Sequence, residues 1–173
     1  MLAITLVLAT LAQPAPLIRC EGHDTNLATF LEMTKILFNQ RQADRAGEFY
    51  APEIINHNSD AGDAGTMKVP VERAAAMWRM YQQLEPDRQV INNVIICNGD
   101  LITAQTTVRG SRAGDTLPGK PAGRRHYNTT AIDIYRFKDG KVVERWGNYD
   151  MVTRVRQLGL DLDLSPITLP AQD

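Results

Sequence analysis

The sequence has few of the residues that build metal clusters or disulfide frameworks: its 173 residues include two cysteines and three histidines. Two cysteines, Cys20 and Cys97, are too few for a thiolate metal cluster. They can form one disulfide in an exported protein, or stay free thiols in the cytoplasm. The three histidines, His23, His57 and His126, lie far apart along the chain, so we predict no metal site.

Charge of one sign is not in excess either. The chain has 19 lysines and arginines against 20 aspartates and glutamates, which gives a formal net charge of −1. This balance offers no electrostatic basis for binding nucleic acid or an anionic membrane. The sequence also lacks a glycine-rich phosphate-binding loop and a serine nucleophile elbow. We therefore expect a small-molecule ligand as the partner.

Residues 1–12 form an apolar run, which carries no charge and is too short to span a bilayer. They fit the apolar region of a signal peptide, although no lysine or arginine precedes them. The alternative is a disordered or docked N-terminal segment. We expect export to the periplasm or medium, with a cytoplasmic location left open. The predicted division is a leader and entry segment at residues 1–22, one domain at 23–165 and a tail at 166–173.

The pattern of apolar residues predicts helices first and strands afterwards. Helices are predicted over residues 24–38, 43–50, 69–84 and 151–158. Strands are predicted over residues 53–58, 90–97 and 101–110, with two more after a long loop at residues 111–125. Helices segregated from a run of antiparallel strands indicate an α+β fold, in which a curved antiparallel sheet wraps around the N-terminal helices. A sheet bent in this way leaves a pocket between itself and the helices.

One residue of the first strand after the loop raises the question of function. Ile132 and Ile134 alternate with Asp133, Tyr135 and Phe137, so the aspartate shares a face with two aromatic residues. If that face lines a pocket, burial raises the pKa of the carboxyl group and makes it useful as a base near neutral pH. The alternative is a structural ion pair with a cross-strand arginine, either Arg109 or Arg145.

His57 is the second candidate for catalysis, because it ends a short strand near the expected mouth of the pocket. A pair formed by His57 and Asp133 would orient the imidazole and supply a base. The alternative is that the histidine and the following Asn58 only end the strand and bind the next turn. The residues predicted to bind the ligand are Asn58, Trp78, Tyr81, Tyr135, Arg145, Trp146 and Asp150.

Each of these residues also has a structural interpretation. The aromatic side chains stack on a flat ligand or simply fill the core. Strand alternation places Arg145 on the face of Gly147, opposite Trp146, unless a bulge at the glycine resets the alternation. Asp150 directly precedes the last predicted helix and suits its N-cap.

Four segments carry a resemblance to a known family: YAPEIINHN (residues 50–58), PGKPAGRR (118–125), DIYRFKDGKVVERWGNYD (133–150) and RQLG (156–159). With the element order, they resemble the SnoaL-like polyketide cyclase group of the nuclear-transport-factor-2-like superfamily. The resemblance covers most of the chain after about residue 25. It implies an α+β cone with an apolar pocket, acid–base ring closure or aldol-type chemistry without metal or organic cofactor, and a homodimer.

The chain departs from that group at both catalytic positions. The resemblance places the acid–base carboxylate of the cyclases at Gly147, which cannot move a proton, and the assisting histidine at Asp133. Two functions follow. One is an acid–base cyclase, aldol-type lyase or isomerase acting on a small, mostly apolar carbonyl compound through His57 and Asp133. The other is a binding protein that holds such a compound without turnover. An interaction protein that pairs through its sheet is a third hypothesis.

Overall fold

The computed structural model describes residues 15–22, 24–57, 66–117 and 119–160. The predicted leader, the predicted tail and Asn58 lie outside the described residues. In the described part, none of the helices is long and apolar enough to cross a membrane.

Helices and strands follow one another largely as the sequence pattern predicts. The α-helices are α1 (Asp24–Met33), α2 (Val71–Leu84) and α3 (Met151–Gln157), with a π-helical segment at Thr34–Asn39 and a 3₁₀ segment at Ala43–Glu48. The strands are β1 (Leu17–Arg19), β2 (Tyr50–Asn56), β3 (Met67–Pro70), β4 (Gln89–Asn98), β5 (Leu101–Ala113), β6 (Arg124–Lys138) and β7 (Lys141–Tyr149).

The strands form a single sheet in the order β1-β4-β5-β6-β7-β2-β3. The four long strands β4 to β7 pair antiparallel, as expected from a meander of hairpins. The flanking pairs β1–β4 and β2–β7 are parallel. The predicted α+β fold, with a curved sheet and helices near the N-terminus, is confirmed.

Two predicted boundaries are wrong for a physical reason. Val69 and Pro70 do not open helix α2, because they pair with Ile54 and Glu53 at the edge of the sheet, and the helix begins at Val71. The long loop at residues 111–125 is also shorter than predicted. Strands β5 and β6 continue to pair there, as far as Ala113 opposite Arg124. Tertiary pairing therefore overrides the loop-forming composition.

The core lies between the helices and the concave face of the sheet. Phe30, Met33 and Leu37 project from the first helical region and are almost fully buried against Ile95 and Ile102 of the sheet. Each side chain of this size contributes about 1.5–3 kcal/mol when it is removed from water. The helices cover one part of the concave face and leave a hollow beside it.

A disulfide joins Cys20, which follows β1, to Cys97 in β4. The two cysteines are 77 residues apart in sequence. Strand β1 pairs parallel to β4 next to the bond, with Arg19 opposite Ile96. The bridge therefore ties the N-terminal edge strand to the sheet and removes conformational freedom from the unfolded chain.

We expect the double variant Cys20→Ala/Cys97→Ala to unfold with a free energy lower by about 2–4 kcal/mol, because a long loop is no longer closed in the unfolded chain. Urea denaturation under non-reducing conditions measures this difference. A reductant should lower the stability of the wild-type protein by the same amount and leave the variant unchanged. Equal stability of the two proteins without reductant would contradict the prediction.

Candidate active site

A cavity of about 620 Å³ occupies the hollow between the sheet and the helices. This volume is typical of sites for small molecules. Apolar walls come from both layers, among them Phe30, Ile54, Val69, Ala104 and Leu158. Polar groups project between them, so the cavity combines an apolar body with a few fixed polar contacts.

The register of the sheet places Asp133 in this cavity. On β6 it lies opposite Ala104 of β5 and opposite Gly147 of β7. Its neighbour on the same face, Tyr135, also lines the cavity. Asp133 is 6% exposed, so the carboxylate that the strand pattern singles out is removed from bulk water.

Arg145 is the partner of that carboxylate. Its Nη2 donates to Oδ1 of Asp133 at 2.5 Å and also to the hydroxyl of Tyr149. A longer contact of 3.5 Å joins its Nη1 to Oδ1 of Asn56. Among the described residues, Asp133 has no other hydrogen-bond partner, and its Oδ2 remains free to bind a ligand. The sequence left a pocket carboxylate and an ion pair as alternatives, and the structure contains both.

Burial sets the protonation of this cluster. It raises the pKa of Asp133, an effect that the positive charge of Arg145 opposes without cancelling. Burial also raises the pKa of Tyr50 and of Tyr149, so both phenols keep their protons at neutral pH. The hydroxyl of Tyr50 is buried at the cavity wall and has no hydrogen-bond partner in the described part of the chain. It is available as a donor to a ligand.

The predicted aromatic residues of helix α2 do line the cavity, and they also pack against the core. The ring of Trp78 lies 5.1 Å from that of Tyr50 and 5.7 Å from that of Phe38. The guanidinium of Arg88 lies over the ring of Tyr81, with its Cζ 5.4 Å from the ring centroid. The lining and core-filling interpretations of these aromatics therefore apply together.

A second polar cluster stands at the end of the cavity near α3. Glu85 is fully buried and accepts hydrogen bonds from the Tyr127 hydroxyl at 2.7 Å and from Arg154. The guanidinium of Arg154 lies 4.4 Å from the centroid of the Tyr127 ring. A buried carboxylate with two such partners satisfies the requirement that buried charge be paired.

The predicted pair of His57 and Asp133 is not formed. His57 contacts Glu144 through Nε2 at 2.7 Å and Thr66 through Nδ1 at 2.8 Å. Glu144 lies on the convex face of β7, whereas Asp133 lines the cavity on the concave face. His57, which binds Glu144, and Asp133 are therefore on opposite sides of the sheet.

Trp146 and Asp150 are also not among the residues that line the cavity. Trp146 stacks on the ring of His57, with centroids 4.7 Å apart and planes 2° from parallel, on the convex face. Asp150 caps helix α3 by accepting a hydrogen bond from the backbone of Thr153, as its alternative interpretation has it. Strand alternation did separate Arg145 from Trp146, as predicted.

Sequence reasoning missed several polar residues of the cavity, and a bulge in β4 explains one of them. In β4 the register shifts between Asn92 and Val94, so Asn92 reaches the cavity although strict alternation from Ile95 points it outward. In β7 the bulge lies between Val142 and Glu144, not at Gly147 as suggested. The inward direction of Tyr149 could have been predicted from the sequence, because Tyr149 lies on the same face of β7 as Arg145.

The described residues contain no group of three or more histidine, cysteine or acidic side chains that would hold a metal ion. The polar groups of the cavity are instead arginines, tyrosines, asparagines, threonines and one carboxylate. This set can transfer a proton and can bind a negatively charged or carbonyl oxygen.

Residues 28–158 match the family model of the SnoaL-like polyketide cyclases. Among solved structures, the chain is similar to IdmH of Streptomyces antibioticus, a candidate polyketide cyclase. The two share 27% identity over 78% of this chain and 99% of that one, with a TM-score of 0.67. A SnoaL-like cyclase candidate of Jannaschia sp. CCS1 shares 17% identity over 80% and 94%, with a TM-score of 0.66.

AclR of Streptomyces galilaeus, a candidate hydroxylase, shares 22% identity over 79% of this chain and 96% of its own, with a TM-score of 0.63. At this identity the likeness, as with the Jannaschia protein, shows the fold alone. Comparison with curated protein sequences gives no match. The family is thus shown by the sequence match, while the similar solved structures differ in the chemistry attributed to them.

We expect Arg145→Met to lower the free energy of unfolding by about 3–5 kcal/mol at pH 7, because Asp133 is left as a buried charge without its cation. The loss should grow as pH rises. The folded state holds the proton of Asp133 to higher pH than the unfolded state, whose aspartate has a pKa of about 3.9, so stability falls above that value. Urea denaturation between pH 4 and pH 7 measures the slope.

The matched control is Arg145→Met/Asp133→Asn, in which position 133 no longer carries a carboxyl group to titrate. Its stability should not share the added pH dependence of the single variant. If Arg145→Met loses the same free energy of unfolding at pH 4 and at pH 7, then Arg145 and Asp133 are not electrostatically coupled.

Proposed function

Because the chain belongs to the SnoaL-like polyketide cyclase family, we propose that it is an acid–base enzyme. Its substrate is a small, mostly apolar carbonyl compound bound in the cavity. Its reaction is a proton abstraction that leads to a cyclisation, an aldol-type cleavage or an isomerisation. The observation that carries this proposal is a buried carboxylate, Asp133, with a raised pKa, in a cavity also lined by Tyr50, whose hydroxyl has no hydrogen-bond partner among the described residues.

In the proposed step, Asp133 removes a proton from the carbon next to the substrate carbonyl. The C–H bond breaks, the proton moves to Oδ2 of Asp133, and the electron pair is delocalised onto the carbonyl oxygen as an enolate. The hydroxyl of Tyr50 donates a hydrogen bond to that oxygen. In a ring closure, the enolate carbon then attacks a second carbonyl of the same molecule, and the resulting alkoxide takes the proton back from Oδ2 of Asp133, which restores the carboxylate.

Arg145 supports both stages of this step. It holds Oδ1 of Asp133 in place, which leaves Oδ2 for the substrate. When Asp133 becomes neutral, negative charge moves to the enolate, and the positive charge of Arg145 remains close by to stabilise it. Since the side chains of Asp133 and Arg145 are themselves nearly buried, this electrostatic effect is stronger than it is between groups in solution.

The sheet register supports a shift of the catalytic carboxylate relative to the cyclases. The resemblance assigns their carboxylate to the position of Gly147. In this chain, Gly147 lies directly opposite Asp133 across the β6–β7 ladder. Across an antiparallel ladder, side chains at paired positions share one face and lie close together. A carboxylate supplied from β6 therefore reaches the region that a carboxylate from β7 would occupy.

A second candidate function is binding without turnover. The ion pair with Arg145 favours it, because a carboxylate bound to a cation is a weaker base, and the family's own acid–base position is a glycine. Both functions need the same cavity. They differ in whether Asp133 exchanges a proton with the bound compound.

We also propose that the protein works in an oxidising compartment, as a periplasmic or secreted protein. The disulfide between Cys20 and Cys97 supports this, because such bonds persist outside reducing cytoplasm. The homodimer stays a prediction. Support for it comes from Ile96 and Ile132, which are 48% and 51% exposed.

Exchange of carbon-bound hydrogen tests the proposed step before the natural substrate is known. The probe is 2-tetralone in D₂O, with loss of its α-proton signals followed by NMR. We expect wild-type protein to accelerate the exchange, Asp133→Asn to slow it by about 10²–10⁴-fold, and Tyr50→Phe to slow it by about 10–10³-fold.

Binding of 2-tetralone, measured by calorimetry, is the control. It should change little in Asp133→Asn, because the amide keeps the shape of the carboxylate. Exchange that persists in Asp133→Asn would exclude this residue as the base. A probe that binds but exchanges no faster than in buffer would favour the binding function.

A further inference from the structure

Basic and acidic side chains are not balanced around the cavity. Asp133 is the only carboxylate among its described lining residues, whereas five arginines line it. These are Arg73, Arg88, Arg112, Arg145 and Arg154. Arg73 is exposed, Arg145 is paired with Asp133, and Arg154 is paired with Glu85. Arg88 and Arg112 have no full partner among the residues that the structure describes.

Glu85 does not neutralise Arg88 in addition to Arg154. Its Oε2 accepts the hydrogen bond of Tyr127, and its Oε1 accepts that of Arg154. The Nε of Arg88 lies 3.8 Å from Oε2, too far for a hydrogen bond, and is buried without a partner in the described part of the chain. One carboxylate is thus shared by two guanidinium groups, which leaves one positive charge in excess.

Arg112 is more isolated still. It follows Thr106 and Val108 along the cavity-facing side of β5. No described residue forms an ion pair or a side-chain hydrogen bond with it, and its Nε is buried and without a partner. Arg112 is half-buried, and a buried Nε with an unmade hydrogen bond is costly, so a partner is expected from outside the described residues.

Gly110 brings the two arginines to the same part of the cavity. A Cβ at this position would lie 3.0 Å from Cα of Arg88 and 2.9 Å from the hydroxyl of Tyr127. Only a glycine permits that approach without displacing the neighbours. The backbone of Arg88 therefore lies against β5 at Gly110, two residues before Arg112 on the same face of the strand.

We infer that the ligand carries a carboxylate, and that Arg88 and Arg112 bind it at the end of the cavity near α3. The planar guanidinium matches a carboxylate with two parallel hydrogen bonds. The inference extends the proposed function, because it places the acid group at one end of the same molecule whose carbonyl meets Asp133. The substrate class is therefore a keto acid with an apolar body.

Two compounds of nearly equal shape separate charge from apolar burial: 2-naphthoate and 2-naphthamide. Isothermal titration calorimetry of the wild-type protein should give an affinity for the anion at least about tenfold higher than for the amide. In Arg88→Gln/Arg112→Gln the two affinities should become equal, mainly through weaker binding of the anion. Thermal unfolding checks that this variant is folded.

Arg109→Gln is the matched control, because Arg109 is an exposed arginine of the same strand that bonds Gln89 rather than lining the cavity. It should keep the preference for the anion. Asp133→Asn should keep it too, so the acid-binding site can be established even if Asp133 proves not to be a base. Equal affinities in the wild-type protein, including no binding of either compound, would overturn the inference. So would a preference that survives in the double variant.

Discussion

A carboxylate and a guanidinium lie together in the wall of the cavity, both nearly buried, and the rest of the site is arranged around this pair. Asp133 and Arg145 are each nearly buried, and their contact of 2.5 Å offsets part of the cost of removing two charges from solvent. An apolar pair of similar size would be as stable or more so. A costly ion pair beside an open cavity indicates a site selected for chemistry or binding.

The pleat of the sheet divides the polar residues into two groups with different roles. On the concave face, Asp133, Arg145 and Tyr149 meet in the cavity. On the convex face, His57, Glu144 and Arg136 form a chain of hydrogen bonds that ties β2, β6 and β7 together. That chain holds the strands in register, and the register in turn determines which side chains meet inside.

Local patterns predicted the helices, most strands and the inward direction of Asp133, because alternation and helical spacing are local properties. They did not predict the partner of His57, since the neighbour of β2 is β7, far along the chain and parallel to it. Glu85 was missed for a similar reason. A charged residue after a helix resembles a surface residue, and its burial depends on Tyr127 and Arg154, which the fold brings to it. The bulge in β4 hid Asn92.

Asp133 lies in the cavity with a raised pKa although Arg145 is its partner. Carbon-13 NMR of the aspartate carboxyl groups, with Asp133→Asn used to assign the signal, measures this pKa directly. The account predicts a midpoint clearly above the value of about 3.9 that is usual for aspartate. A midpoint at or below that value would show a carboxylate dominated by its ion pair or by solvent, and would remove the base on which the proposed chemistry depends.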